Sequence, residues 1–191
     1  MNYTQHRIKW NNCQACSLCK TRKHVVLGRG SLPASILFVG EGPGSSEDVL
    51  GQPFKGPAGQ LLDQIIERAL KGRKVAIAFT NVVACLPVDE NGKKADEPEI
   101  EAIEACRDRL TEFVELAKPR AIVLVGKLSE KYTPLATERI EKEANTPAVQ
   151  WRKIIHPSAI MKLKTKQPEQ IGLLIQTCTV TISDLLTDLG F

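Results

Sequence analysis

Followed along the chain, the hydrophobic positions fall into two kinds of run. "SILFV" (35–39), "KVAIAFTNVVAC" (74–85) and "RAIVLVG" (120–126) are almost continuously apolar or β-branched. Runs without alternation are expected of strands buried on both faces of a sheet. "WRKIIHPS" (151–158) reads as a further strand running into a turn. The second kind has helical spacing. From Ala58 to Leu70, Leu61, Leu62, Ile65, Ile66 and Ala69 share one face. Pro98 to Ala117 reads as another helix, its proline suited to the first turn. Residues 127–150 predict a short helix and then a loop, and 168–189 a final helix. Within that last segment "QTCTVTISDLL", rich in Thr and β-branched residues, also suits a strand. The polar "LPVDENGKKADE" (86–97) reads as a loop. Strands alternating with helices predict a three-layer α/β/α sandwich around a central, mainly parallel four-stranded sheet.

Composition narrows this picture only a little. The 191 residues are expected to form a single domain, 1–191, with a cysteine-rich N-terminal arm at 1–30. A net charge of +4 permits a nucleic-acid partner without demanding one. No apolar run is long enough for a membrane span, and "MNYTQHRIKW" lacks the apolar core of a signal peptide. A cytoplasmic monomer is therefore expected. Six cysteines, at 13, 16, 19, 85, 106 and 178, then call for a role other than disulfides. Cys13 and Cys16 form a CxxC pair which, with Cys85 and Cys106, suits either tetrahedral zinc or a [4Fe–4S] cluster. Cys19 makes a second CxxC register with Cys16, and Cys178 reads as a small buried hydrophobe.

Chemistry concentrates just past the first strand. "GEGPGSSEDVLGQPFKGPAGQLLDQII" (40–66) carries six glycines and three prolines before turning into a helix. Ligands of parallel sheets bind beyond the carboxyl ends of the strands. "GEGPG", "TNVVAC" and "HPS" all fall at such ends. Neither G-x-x-x-x-G-K-[ST] nor G-x-G-x-x-G occurs between residues 40 and 60, so a phosphate-binding loop is not indicated.

"GEGPGSSEDVLGQPFKGPAGQLLDQI", "TNVVACLP" and "HPS", in that order, resemble the uracil-DNA glycosylase superfamily, and most nearly its family 4, iron–sulfur type. "CQACSLCKTR" matches that family's Cys-x-x-Cys-x-Leu-x-x-x-Arg opening. The resemblance covers residues 8 to 160. It departs at Gly42, where members usually carry Ala, and matches poorly over 127–155.

The resemblance implies an enzyme that extrudes uracil from DNA and hydrolyses its N-glycosidic bond, without a strand-cleaving step. Phe54 would stack on the base, and Asn81 would read its edge, since an amide both donates and accepts. His156 would donate to uracil O2 as charge builds there, and Glu41 would position or deprotonate the attacking water. Glu47 would sit against C5 and exclude the thymine methyl, while Asp48 braces the loop. Gly40 and Gly42 would let the backbone approach the base. Gly56, at a helix entrance, with Ser158, Met161, Lys162 and Lys164, would meet DNA: apolar residues as a wedge, lysines on phosphates. Ile160, Leu163 and Lys166 belong to the same stretch, and Arg22, Lys23, Arg29 and Lys55 could extend a basic surface. The resemblance also implies a [4Fe–4S] cluster on Cys13, Cys16, Cys85 and Cys106, with Cys19 on a non-ligand position.

Rival readings are a glycosylase fold that binds DNA without catalysis and a glycosylase for another modified base. The presence of Glu41, Phe54, Asn81 and His156 together argues against lost catalysis. No His occurs in 86–97, so a covalent route through one is not expected.

Overall fold

The computed structural model of the protein describes residues 1–89, 91–95, 97–143, 148–165 and 167–191; Lys166 lies outside them. A two-residue strand β1 (Arg29–Gly30) precedes β2 (Ile36–Gly40), β3 (Ile77–Asn81), β4 (Ala121–Val125) and β5 (Gln150–Ile154). The sheet order is β1-β3-β2-β4-β5, with β1 antiparallel to β3 and the other pairings parallel. The sheet thus has five strands rather than four. β1 escapes the hydrophobic pattern because Arg29 and Gly30 carry no apolar side chain.

Side chains alternate across the sheet as extended backbone requires. Leu37 and Val39 enter one core with Ala78, Ile122 and Leu124. Ile36 and Phe38 enter the other with Ala121, Val123 and Val125. The first core is covered by α1 (Tyr3–Trp10), α4 (Ile100–Ala105), α5 (Arg107–Ala117) and α6 (Lys127–Glu143). The second is covered by α3 (Pro57–Leu70), which follows the short α2 (Ser45–Leu50), and by α7 (Pro157–Lys162) and α8 (Pro168–Asp188). The α/β class with helices on a mostly parallel sheet is therefore borne out. No helix among the described residues is long and apolar enough to cross a membrane.

Three elements differ from the sequence pattern, each for a local reason. The run 74–85 forms a strand only over Ile77–Asn81, because beyond Asn81 the chain follows the loop after β2: Val82 N–H donates to Gly40 O at 2.9 Å and Val83 N–H to Glu41 O at 3.0 Å. The helix expected over 98–117 is broken at Cys106, whose backbone sits at φ −88°, ψ −6° between α4 and α5. The helix after β4 is long rather than short and passes through Pro134, since Leu128, Ser129, Thr133, Ala136 and Thr137 bury one continuous face. The final helix expected over 168–189 is present as α8, and the strand alternative for "QTCTVTISDLL" is not taken: the Thr177, Thr179 and Thr181 hydroxyls bond back to carbonyls four residues earlier.

Candidate active site and cysteine cavity

Four parallel strands put four carboxyl ends on one edge of the sheet, and β2 lies where the order reverses between β3 and β4. Gly40 and Glu41 leave β2, Asn81 ends β3, Gly126 follows β4, and His156 follows β5. A cleft of about 430 Å³ opens there, lined among others by Glu41, Gly42, Glu47, Phe54, Asn81 and His156.

Next to the cleft, Gly40 pairs in register with Asn81. A Cβ at Gly40 would lie 2.5 Å from Asn81 Oδ1 and 2.5 Å from the Phe54 ring. Only hydrogen at this position lets the amide and the ring close on the same backbone atom. The Asn81 amide has no hydrogen-bond partner within the described residues, although the residue is 2% exposed; its free groups face the cleft. Phe54 adopts a left-handed backbone, φ +55°. Arg29 holds it there, donating to Pro53 O at 2.9 Å and Phe54 O at 3.4 Å, and pairing with Asp63 at 2.5 Å. Arg29 also lies 3.8 Å over the Phe79 ring, so it is a clamp rather than free basic surface.

Glu47 holds the loop in shape. Its carboxylate accepts from the N–H groups of Gly44 (3.0 Å), Lys55 (2.9 Å) and Gly56 (2.6 Å). The Gly56 amide at the entrance to α3 is thereby already engaged. Asp48 takes the Lys23 amide at 2.9 Å, bracing the loop against the arm. At Gly42 a methyl would come within 2.8 Å of Val83 Cγ2 and 3.3 Å of Pro87 Cγ, so Ala there requires these side chains to shift.

His156 is the N-cap of α7. Ser158 N–H donates to its Nδ1 at 3.2 Å and Ser158 Oγ lies 2.7 Å from the same nitrogen. An Nδ1 that accepts leaves the ring proton on Nε2. Burial, reinforced by Lys94 and Lys162 and opposed by Glu47, pulls the His156 pKa down to about 4, so the ring is neutral. Burial pushes the Glu41 carboxyl up from its ordinary value, with Glu97 adding to the rise; the Leu128 N–H at 3.4 Å and Lys162 act against it.

Gly126 and Lys94 were not singled out by the sequence. Gly126 has φ +94°, and a side chain there would collide with the Glu41 carboxylate and approach His156 Cβ at 3.1 Å. The signal was present in "LVG", a glycine at a strand end like that of "FVG". Ser158 and Lys162 line both this cleft and an adjoining one of about 660 Å³; Met161 is half-buried and Lys164 exposed, and neither lines them. Ile160 is fully buried and so does not form part of a wedge.

A family model described as the uracil DNA glycosylase superfamily matches residues 27–177. The chain belongs to that superfamily. Similar proteins include the type-4 uracil-DNA glycosylase of Thermotoga maritima, 33% identical over 91% of this chain and 89% of its own length. Those of Saccharolobus solfataricus and Pyrobaculum aerophilum are 39% and 41% identical over 63% of this chain. The matched part spans only 53% and 58% of those two proteins, little more than half their length.

In this glycosylase-family chain, Cys13, Cys16, Cys85 and Cys106 line a second, narrow cavity with Arg22 and Arg109, whereas Cys19 and Cys178 do not. The cavity wall is assembled from three places: the arm, the segment after β3, and the break between α4 and α5. Arg22 donates to Cys13 O at 2.5 Å, so it too is part of this wall rather than free basic surface. The arm is pinned to α5 by His6 Nε2 on Arg109 O (3.2 Å), by Trp10 Nε1 on Glu112 (2.6 Å) and by Lys9 on Glu112. Two buried nitrogens, His6 Nδ1 and Arg109 Nε, lack partners. As the side chains stand, no group of three or more His, Cys, Asp or Glu among the described residues is gathered closely enough to hold a single metal ion.

Proposed function

We propose that this protein is a monofunctional uracil-DNA glycosylase of base excision repair. The observation that carries the reading is the unpartnered Asn81 amide facing the cleft beside the Phe54 ring, both closed over Gly40. An extruded uracil stacks on Phe54, while the Asn81 amide donates to O4 and accepts from N3–H. Cytosine offers the opposite pattern there. Glu47 stands against C5; bound to three amides, its side chain is a fixed wall against a methyl group.

As the glycosidic bond breaks, its electron pair passes to the base, and the His156 Nε2–H donates to O2 where the charge collects. Glu41 favours the cationic sugar, orients a water at C1′ and takes its proton. Free uracil and an abasic site leave. Ser158, Lys162 and Lys164 face DNA phosphates, Met161 supports the gap in the stack, and the entrance of α3 at Gly56 lies against the backbone of the bound strand.

Four thiols that ring a cavity without meeting at one point suit a [4Fe–4S] cluster, with each cysteine on its own iron, better than one zinc ion. Bound there, the cluster would tie the arm to the segment behind Asn81. The protein acts as a monomer on uracil-containing DNA.

Release of uracil from a labelled single-uracil oligonucleotide, read by alkaline cleavage of the abasic site, tests the proposal. Wild type is expected to cut, and His156→Ala and Glu41→Gln to fall steeply. No cleavage by metal-loaded wild type would overturn the hydrolytic reading in favour of a DNA-binding role without catalysis.

A further inference from the structure

Arg109, on α5, has no part in the base chemistry and yet is 1% exposed. Its Nη2 donates to the carbonyls of Asn81 and Val82, each at 2.6 Å, and its Nη1 to Thr80 Oγ1 at 2.9 Å. Thr80 passes the chain on, donating to Leu27 O at 2.7 Å. All of these acceptors are neutral. Among the described residues no carboxylate pairs with Arg109. A buried cation without a counter-charge is heavily penalised, and guanidinium stays protonated regardless. The groups that face it across the cavity are Cys106, Cys85 and Cys13, thiols that become anionic when they ligate a metal. Arg109 lines their cavity, and its remaining Nε–H has no partner.

We infer that Arg109 is a positioning residue that joins the two sites. Toward the cavity it is the counter-charge of the metal-bearing cysteines; toward the cleft it is the strut that fixes the backbone of Asn81. The inference rests on the proposed roles of Asn81 and the four cysteines. The two halves make different demands on the side chain. The counter-charge needs only a cation, whereas the strut needs a rigid fork reaching Asn81 O, Val82 O and Thr80 at once. Lysine keeps the first and loses the second; methionine loses both.

The test compares metal-loaded wild type with Arg109→Lys, Arg109→Met and a core control on the same helix, Leu110→Ala (Leu110 is 1% exposed). Three quantities are read: metal retained per chain against a chelator, the NMR resonances of the Asn81 side-chain amide, and the affinity for free uracil. Arg109→Lys is expected to keep its metal as wild type does, shift the Asn81 resonances and bind uracil about 10-fold or more weakly. Arg109→Met is expected, in addition, to lose its metal about 10-fold faster. Leu110→Ala should melt earlier yet leave the resonances and uracil affinity unchanged. Wild-type resonances and affinity in Arg109→Lys would overturn the strut. Wild-type metal retention in Arg109→Met would overturn the counter-charge, with Arg109→Gln deciding the same point if the methionine variant does not fold. Should wild type itself bind no uracil, the base-reading proposal fails, while the Asn81 resonances still decide the strut.

Discussion

The strand-end cleft and the cysteine cavity are neighbours that solve opposite problems. In the cleft the protein satisfies its own groups: the Glu47 carboxylate with three amides, His156 Nδ1 with Ser158, and Phe54 through the Arg29 clamp. What stays unpaired, the Asn81 amide, faces open space. The cavity instead buries the unpaired Arg109 Nε beside thiols, at a cost of about 1–3 kcal/mol for an unsatisfied group. The cleft is finished by the chain alone and awaits a transient ligand. On the reading proposed above, the cavity is completed by a permanent ligand, so metal loading would belong to folding and base binding to turnover.

The largest effect should separate the two most clearly. Cys85→Ala removes one of the proposed ligands and weakens the counter-charge of the buried Arg109, at about 3–5 kcal/mol in denaturant unfolding of the metal-loaded protein. His156→Ala removes the cap of α7, so it should cost only about 1 kcal/mol in that unfolding and slow base release by about 10²–10³-fold in single-turnover assays. An equal loss of stability in both variants would erase the distinction. Glu47→Gln removes the charge from three charge-assisted bonds and should cost about 1–3 kcal/mol of stability, together with some loss of discrimination against thymine.

Glu41→Gln should separate stability from activity inside the cleft itself. Its folded pKa is raised, so the stability contributed by the protonated form is present below the ordinary Glu value and is lost as pH rises through the folded value. At pH 7 the neutral variant is therefore expected to melt above wild type while releasing uracil slowly. A lower melting temperature would show the carboxylate to be structural. The smallest effect is in the pH profile. With the His156 pKa near 4, the ring does not titrate at the usual 6.5, so the acid limb should follow Glu41, raised from its ordinary value, and disappear in Glu41→Gln. His156 also makes its own contribution to stability, present above 6.5 and lost as pH falls toward about 4.

Strands β2 and β4 were legible to within a residue because all of their side chains are buried, and Glu41, Asn81 and His156 were legible because they stand at strand ends, whereas Glu47 and Phe54 were reached only through the resemblance and Lys94 was missed. What stayed hidden depends on tertiary surroundings. In "CRDRLTEF" Arg109 is one charge among several on a helical pattern, and nothing local distinguishes a buried guanidinium from a solvated one. Cys106 ends one helix and starts another through dihedral angles any residue adopts. The polar face of α6 looks like a loop until Ser129 is seen donating to Val39 O at 2.6 Å in the interior.

One carboxylate also closes the chain on itself. By bonding amides at Gly44, Lys55 and Gly56, Glu47 turns the segment between them into a ring held by a non-covalent clasp. Val49 and Leu50 sit on its rim, 52% and 59% exposed, while Phe54 closes its inner side at 7%. The ring is thus an exchangeable cassette: its exposed rim can be rewritten while the clasp and Phe54 keep the inner wall in place.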